Sequence, residues 1–298
     1  MGKIAVAGGS GAVGQEIVKV LAASRRHEIL ILSRSDVSDK GESRPGVTWV
    51  KADYGDMASV LSAVDTVLSF IATHADPGST VQKTLIDASI IAGVKRFAPS
   101  EWATSNFEEL PWYAEKANIR AYLQEINKEK KPGAAIDQLA IENFEFVFDL
   151  KSRRAIVLDG YDSVITLTTY GDLANIVLRA VEYEGKWPVN GGVQGTTIAT
   201  SKFLEIAARV RGKPFEIQAL KEEDLRADII KSSWIPRLEI PGLPDEQVDA
   251  FSKMVLKGWL LSGLHESWRV SDEWNRLLPD YKFTDAEEFL TKAWAGKP

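Results

Sequence analysis

Residues 3–14 read KIAVAGGSGAVG, an apolar run that passes directly into a cluster of glycines, and residues 15–21 continue as QEIVKVL. This order of an apolar run, glycines and an amphipathic pattern predicts a strand, a tight turn and a helix. Glycines at positions 8, 11 and 14 suit the turn, because the backbone must bend sharply, approach a pyrophosphate closely and let the helix lie against the strand. We therefore expect a dinucleotide site at this turn.

The turn would bind phosphate through backbone N–H groups and the positive end of the helix that follows it. A glycine triplet alone is weak support, and the alternative is a turn with only a structural role. Its position between an N-terminal strand and an amphipathic helix favours the dinucleotide site. The residues expected to contact the cofactor here are Gly8, Ser10, Gly11, Ala12, Val13 and Gly14.

The end of the second predicted strand indicates which dinucleotide is bound. Residues 28–32, EILIL, lead into Ser33 and Arg34, where a site for NAD usually has an acidic residue that accepts from the ribose 2′-hydroxyl. Arginine can hold a 2′-phosphate with two hydrogen bonds and stack on adenine, so this pair predicts NADPH as the cofactor. A solvated surface arginine is the alternative, and the nearby Asp36 leaves NADH open.

Composition narrows the class of protein. The 298 residues include 42 acidic and 36 basic ones, a net charge of −6, which argues against nucleic acid or an anionic membrane as a partner. The lack of cysteine excludes disulfides and thiolate catalysis, and three histidines leave little for a metal site. We expect a cytoplasmic enzyme without a signal peptide, transmembrane helix or metal, acting on a small molecule as a monomer or homodimer.

Strand-like and helix-like segments alternate through the first half of the chain. Repeated βα units predict an α/β fold with a doubly wound parallel sheet of the Rossmann type, whose ligands lie beyond the carboxyl ends of the strands. Further strands are expected near residues 47–51, 66–72, 95–99 and 135–141, and helices near 80–92 and 113–127. We expect an NADP-binding domain (1–150), to which residues 164–200 return, and a smaller, mostly helical substrate lobe (151–298).

The second half of the chain is rich in tryptophan, at positions 234, 259, 268, 274 and 294. Such a density favours core packing between helices, and the alternative is a pocket for a flat, apolar substrate. A helix is also expected to open after residue 168 and run to residue 182, with Asp172 as its N-cap.

Three features together resemble one family: the glycine turn, Ser33-Arg34, and residues 94–102, which read VKRFAPSEW. The chain resembles the NmrA-like, isoflavone reductase-like branch of the atypical short-chain dehydrogenases, in which the fifth strand typically reads V-K-R-F-x-P-S-E-F. The resemblance covers roughly residues 1–180 and continues more loosely to about 220. It implies a Rossmann fold, NADPH and a helical substrate lobe.

The resemblance also implies site residues. Reductases of this family use a lysine in the helix after the fifth strand, and Lys116 occupies that position. Asn143 and Phe144 match a turn that packs near the nicotinamide. Ser100 and Glu101 resemble residues that line the active site, although Glu101 could equally be a helix cap.

The sequence leaves the proton donor open. Other short-chain dehydrogenases use the pair Y-x-x-x-K, but the residue four before Lys116 is Trp112. Tyr113 lies three before the lysine, within a helical turn of its face. An ammonium beside the nicotinamide ribose could protonate or stabilise the anion that hydride transfer creates. The alternative is a surface lysine, since Glu115 and Arg120 are neighbours.

Residues after the third and fourth strands are further candidates. His74 follows the fourth strand at the edge where substrate and nicotinamide meet; it could contact substrate or relay a proton, or be a histidine with only a structural hydrogen bond. Ala72 and Thr73 are expected to contact the cofactor, Thr73 through its backbone or hydroxyl. Asp53 falls where adenine contacts lie in this fold, and a helix-cap role is equally consistent.

These residues, taken with the resemblance, indicate an NADPH-dependent reductase of a small aromatic, phenolic or quinonoid compound, with Lys116 assisting proton transfer or stabilising an anion. One alternative is a regulator of the NmrA type that binds NADP(H) without catalysis. Another is an isomerase or epimerase that uses bound nicotinamide. Lys116 and the substrate lobe favour the reductase.

Overall fold

The computed structural model describes residues 2–34, 44–52, 56–129, 146–240 and 242–297. Its strands are β1 (Gly2–Ala7), β2 (His27–Ser33), β3 (Val47–Lys51), β4 (Thr66–Ser69), β5 (Arg96–Ala98), β6 (Phe148–Asp149), β7 (Arg154–Leu158), β8 (Val164–Leu167), β9 (Thr196–Ala199) and β10 (Glu216–Leu220). Its α-helices are α1 (Ala12–Ser24), α2 (Met57–Val60), α3 (Thr80–Ile91), α4 (Ala114–Glu129), α5 (Tyr170–Glu182), α6 (Thr200–Arg211), α7 (Glu222–Arg226), α8 (Asp245–Ser262), α9 (Glu273–Leu277) and α10 (Ala286–Trp294).

In the described part of the chain, the central sheet has five parallel strands in the order β3-β2-β1-β4-β5. Val6 of β1 pairs with Ile31 of β2 on one side and with Leu68 of β4 on the other. β1 is buried from Ile4 to Ala7, as expected for an apolar strand covered on both faces. The strand order reverses between β1 and β4, which confirms the predicted doubly wound sheet and places a crevice there.

Helices cover both faces of this sheet. On one face, Ile17 of α1 packs in a cluster with Leu173 and Val177 of α5, so a helix from the second half of the chain completes this layer. On the other face, Leu85 of α3 and Ile119 of α4 pack with side chains of β1, β2 and β4. The division into two domains, with residues 164–200 returning to the first, stays a proposal.

A further core cluster joins the three-stranded sheet β10-β7-β6 to α6, α8 and α10. Within it, Trp268 stacks on Trp259 with 3.8 Å between ring centroids. Trp274 is fully buried in the α1–α5 cluster, where its ring meets Trp187 edge to face. Trp268 and Trp274 pack in the interior, as the preference for core packing predicts, and Trp234, Trp259 and Trp294 are partly buried against the same cluster as Trp268.

The start of α5 differs from the prediction made from sequence. Thr169, not Asp172, is the N-cap, since its hydroxyl accepts from the Asp172 N–H at 3.0 Å. The buried Asp172 carboxylate accepts instead from the Tyr281 hydroxyl at 2.8 Å and the Thr284 N–H at 3.0 Å. Asp172 therefore fastens the C-terminal segment to α5.

Two other expectations concern the limits of the elements. The fifth strand is shorter than predicted, because Pro99 has no N–H to continue the pairing and β5 ends at Ala98. The strand expected near 135–141 lies outside the described residues.

Over the described ranges, none of the helices is long and apolar enough to cross a lipid bilayer, and no three His, Cys, Asp or Glu side chains converge as metal ligands.

Asp172→Ala is expected to lower the free energy of unfolding by about 1–3 kcal/mol, because the partly buried donors of Tyr281 and Thr284 lose their acceptor. Urea unfolding followed by tryptophan fluorescence measures the change. Asp280→Ala is the matched control: Asp280 is exposed on the same segment and pairs with Arg179, so its removal should shift the midpoint far less. Equal shifts in the two variants would contradict the role given to Asp172.

Candidate functional site

A groove of about 260 Å³ lies beyond the carboxyl ends of β1, β2 and β4, at the reversal of the strand order. Its lining includes Gly8, Gly11, Ser33, Arg34, Phe70 and Ala72. A larger cavity, about 680 Å³, surrounds His27 and Arg96 at the opposite edge of the sheet. Parallel α/β sheets bind ligands at the carboxyl edge, so position and not size makes the smaller groove the candidate site.

The glycines of the turn have different structural reasons. A Cβ at Gly8, where φ is +75°, would lie 2.5 Å from the Phe70 carbonyl oxygen, and a Cβ at Gly14 would lie 2.7 Å from the Gly8 oxygen. A Cβ at Gly11 would meet only the Gly8 oxygen, at 3.5 Å. The fold itself therefore requires Gly8 and Gly14, whereas Gly11 leaves an open face that a ligand can approach.

The start of α1 has the features of an anion site. Gly11 is the N-cap and offers no side chain to the first N–H groups, and the first turn has no acidic residue. Ser10, Gly11 and Ala12 are exposed, with Val13 half-buried beside them. Free N–H groups and the positive helix end together attract phosphate, so the turn fits a pyrophosphate.

Ser33 and Arg34 lie where a 2′-phosphate is expected. Ser33 is the buried last residue of β2, and the exposed Arg34 follows it in the wall of the groove. Among the described lining residues, Arg34 is the charged one and no carboxylate is present. A guanidinium without a competing acid fits a phosphorylated ribose better than a free 2′-hydroxyl. Asp53 lies outside the described residues.

The segment after β4 forms the next part of the rim. Ala72 lines the groove, and Thr73 opens a 3₁₀ turn that spans Thr73–Ala75. His74 is exposed in that turn, and its imidazole has no hydrogen bond to a described residue. His74 is thus accessible at the predicted edge, without the structural hydrogen bond of the alternative.

Lys116 lies in the first turn of α4 and is only 8% exposed, so it is not the surface lysine of the alternative interpretation. Its Nζ donates to the Ser100 carbonyl at 2.5 Å and lies 5.3 Å from the centroid of the Tyr113 ring. The contact with Ser100, directly beyond β5, places the ammonium at the carboxyl edge of the sheet. Asn143 and Phe144, expected near the nicotinamide, lie outside the described residues.

Tyr113 is half-buried in the 3₁₀ turn Pro111–Tyr113 directly before α4, and its ring meets Phe107 edge to face with 6.0 Å between centroids. Burial raises the pKa of Tyr113, so the side chain is a neutral phenol at physiological pH. A neutral phenol close to Lys116 can donate a hydrogen bond, and Tyr113 stays a candidate for the proton donor.

Side chains that the sequence did not single out hold the edge together. The buried Gln82 of α3 accepts at Oε1 from the Ser69 hydroxyl and from the Ser100 N–H, both at 2.7 Å. Trp102 donates from Nε1 to the Ser69 carbonyl at 2.6 Å and stacks on Phe70 at 4.6 Å. These bonds fix the ends of β4 and β5 beside the groove, and amide or indole residues far apart in sequence give no local signal of them.

Glu115 connects α4 to the segment after β4. Its carboxylate accepts from the Ser79 hydroxyl at 2.5 Å and from the Gly78 N–H at 3.0 Å. These hydrogen bonds, that of Ser79 foremost, hold the pKa of Glu115 below its usual range. The residue before Lys116 thereby fixes the rim that carries Thr73 and His74.

Glu101 is not a helix cap, although that alternative was open from the sequence. Its carboxylate is fully buried and forms a salt bridge with Arg120, whose Nε and Nη2 lie 2.8 and 2.7 Å from Oε2. Burial raises the pKa of Glu101, and the charges of Arg120 and Lys116 act in the opposite direction. The carboxylate thus belongs to the electrostatic surroundings of Lys116.

Comparison with known proteins agrees with this arrangement. Oxidoreductase BOA1 of Botryotinia fuckeliana is 25% identical over 233 residues, which are 72% of this chain and 77% of that protein. Two solved structures share the fold at 19% identity: NADPH-dependent quinone oxidoreductase QOR2 of Escherichia coli (TM-score 0.69, 98% of this chain and 99% of that chain) and AtPrR2 with NADP+ and (+)pinoresinol (TM-score 0.73, 98% of each). The sequence profile of the NmrA-like family matches residues 1–290. With nearly its whole length matched, the chain belongs to the NmrA-like family.

Proposed function

We propose that this protein is an NADPH-dependent reductase of a small aromatic, phenolic or quinonoid compound. The observation that carries the proposal is the burial of Lys116 at the carboxyl edge of the sheet that also bears the glycine turn. Burying an ammonium is unfavourable unless it is paired or used, and buried charged groups in clefts are enriched at functional sites. The relative described as an oxidoreductase and the NADPH-dependent neighbour support the same class of reaction.

The residues of the groove fit NADPH in kind. The start of α1 would hold the pyrophosphate, and Arg34 with Ser33 would hold the 2′-phosphate. The close approach that Gly11 allows matches the position of the pyrophosphate in this fold. We extend the assignment to Ala72 and Thr73 as contacts of the nicotinamide half.

When bound, NADPH supplies the hydride to an electrophilic carbon of the substrate. Addition to a carbonyl or a conjugated double bond leaves negative charge on oxygen, and that oxygen must receive a proton or be stabilised. Lys116, held by the Ser100 carbonyl at 2.5 Å, can provide either. Tyr113, a neutral phenol beside the ammonium, is the alternative donor.

Aromatic side chains at the carboxyl edge of the sheet support this substrate class. The ring of Tyr113 and the stacked pair of Phe70 and Trp102 give this edge flat, apolar surfaces. Such surfaces favour an unsaturated ring over a flexible polar chain. The names of the neighbours, a quinone oxidoreductase and a protein with pinoresinol, support the choice.

Arg34→Gln is expected to raise the Kd for NADPH by about 10–100-fold and to leave the Kd for NADH nearly unchanged. The lost interaction is a charge-assisted hydrogen bond to the 2′-phosphate, worth about 1.5–3 kcal/mol. Titration calorimetry with both coenzymes measures the difference. Arg276→Gln, an exposed arginine of α9, is the control; equal weakening of both coenzymes by Arg34→Gln would rule out the 2′-phosphate contact.

Gly11→Ala and Gly14→Ala separate binding from folding. Gly11→Ala should leave the melting temperature close to wild type but weaken NADPH binding, because its new methyl group lies where the pyrophosphate approaches. Gly14→Ala should destabilise the fold by about 1–3 kcal/mol through overpacking against Gly8. Calorimetric melting and NADPH titration test both. An unchanged NADPH affinity in Gly11→Ala would contradict the placement of the phosphates.

Lys116→Met is expected to lower kcat by about 10²–10⁴-fold, the usual contribution of a proton donor, while the Kd for NADPH changes only a few-fold. Loss of NADPH absorbance with a panel of quinones, enones and phenols measures turnover, and one NADPH consumed per product separates reduction from isomerisation. Lys202→Met, an exposed lysine of α6, is the control. Full turnover in Lys116→Met would remove the assignment.

A further inference from the structure

Glu101 places a fully buried carboxylate in the segment between β5 and α4. Both contacts from Arg120 fall on Oε2, and Oε1 has no hydrogen-bond partner among the described residues. Two short contacts from a guanidinium are the geometry of an ionised carboxylate. A buried charge with one oxygen unsatisfied is unfavourable for stability. Stability therefore does not explain why the Glu101 carboxylate is buried.

Ser100 and Glu101 are consecutive residues that hold two cations of α4, Ser100 through its backbone and Glu101 through its side chain. Lys116 and Arg120 are four residues apart on one face of the helix. The Ser100 carbonyl accepts from Lys116, and the Glu101 carboxylate accepts from Arg120. The register of α4 against the segment after β5 is therefore set at two points one helical turn apart.

Arg120 also connects α4 to the rest of the segment after β5. Its Nη1 donates to the Ser105 carbonyl at 2.9 Å, and its guanidinium lies 4.4 Å from the centroid of the Phe107 ring. Phe107 also contacts Tyr113 edge to face, and Tyr113 neighbours Lys116. Movement of Glu101 would thus reach the surroundings of Lys116 through Arg120 and Phe107.

The charges are coupled as well as the positions. Among the described residues, Arg120 and Lys116, both from α4, are the charged groups that act on Glu101, and Tyr113 faces Lys116 as a neutral ring. Because Coulomb attraction is mutual, the carboxylate favours the charged form of Lys116 as Lys116 favours the carboxylate. Arg120 partly cancels this effect, since it repels the ammonium and neutralises Glu101.

We propose that Glu101 is a positioning residue that acts through Lys116. It fixes α4 by way of Arg120, and its charge sets the pH range over which Lys116 keeps its proton. This inference rests on the proposed function, because it assigns Lys116 a proton to give.

The test uses two substitutions with opposite expected effects. Glu101→Gln removes the negative charge and should move the alkaline loss of activity to lower pH by about one unit, with a lower kcat and an unchanged KM for NADPH. Arg120→Gln keeps the carboxylate but removes its neutralising partner, so it should move the alkaline loss of activity to higher pH. Glu287→Gln, which removes the carboxylate of the exposed Arg209–Glu287 pair, is the matched control and should leave the profile unchanged.

A second readout does not require turnover. NMR titration of isotope-labelled lysine in the full chain, with the Lys116 signal assigned from Lys116→Met, follows the ammonium directly. Opposite displacements of that titration in Glu101→Gln and Arg120→Gln support the proposal. Displacement in the same direction, or none, in folded variants overturns it. A failure of the proposed function would appear separately, as absence of NADPH binding or oxidation.

Glu101→Asp covers the case in which Glu101→Gln does not fold. It keeps a buried carboxylate for Arg120 but shortens the side chain, so it should shift α4 relative to the segment after β5. A lower kcat with a pH profile close to wild type supports the positioning role. Full kcat in the folded Glu101→Asp variant overturns it.

Discussion

The close approach of Gly8 to the end of β4 is the constraint on which the site depends. A side chain at position 8 would collide with the Phe70 carbonyl, and the backbone there has a positive φ that L side chains rarely adopt. The Phe70 N–H donates to the Ala7 carbonyl at 2.7 Å, so β1 and β4 stay paired up to the turn. This junction opens the groove where the strand order reverses and aims the start of α1 at it.

Side chains, and not strand pairing, hold the remainder of the carboxyl edge. Gln82 bridges the ends of β4 and β5, and Glu115 ties the turn at Gly78 and Ser79 to α4. Lys116 is anchored to the Ser100 carbonyl within the same network. Because each bond joins two different elements, the position of the ammonium depends on α3, α4 and the segment after β5 together.

The elements that sequence predicts well are those whose signal is local. The apolar run of β1 and the glycines after it lie within a dozen residues, and strand and turn follow from them directly. The cap of α5 was predicted wrongly because the partners of Asp172 include Tyr281 and Thr284, more than a hundred residues away. The local sequence around a carboxylate at the start of a helix does not indicate such distant hydrogen-bond partners.

The candidate site shows the same limit. Arg34 and the glycine turn could be placed in one groove from sequence because the fold brings the ends of adjacent strands together. The salt bridge of Glu101 could not, since its choice of Arg120 depends on how α4 packs over the segment after β5. Residue type alone favours a surface position for Lys116, and its burial emerges only from the packing. The roles of the site residues stay predictions.

Buried charge bears on the choice between an enzyme and a protein that only senses its coenzyme. A sensor would need the glycine turn and Arg34, both of which line the groove, and the coenzyme alone would account for both. It gains nothing from removing Lys116 and Glu101 from water, which lowers the stability of the fold unless each charge is offset by its partners. Stability given up at a site is typical of groups that take part in chemistry. The burial of both charges at the carboxyl edge of the sheet therefore favours proton transfer at this edge over coenzyme binding alone.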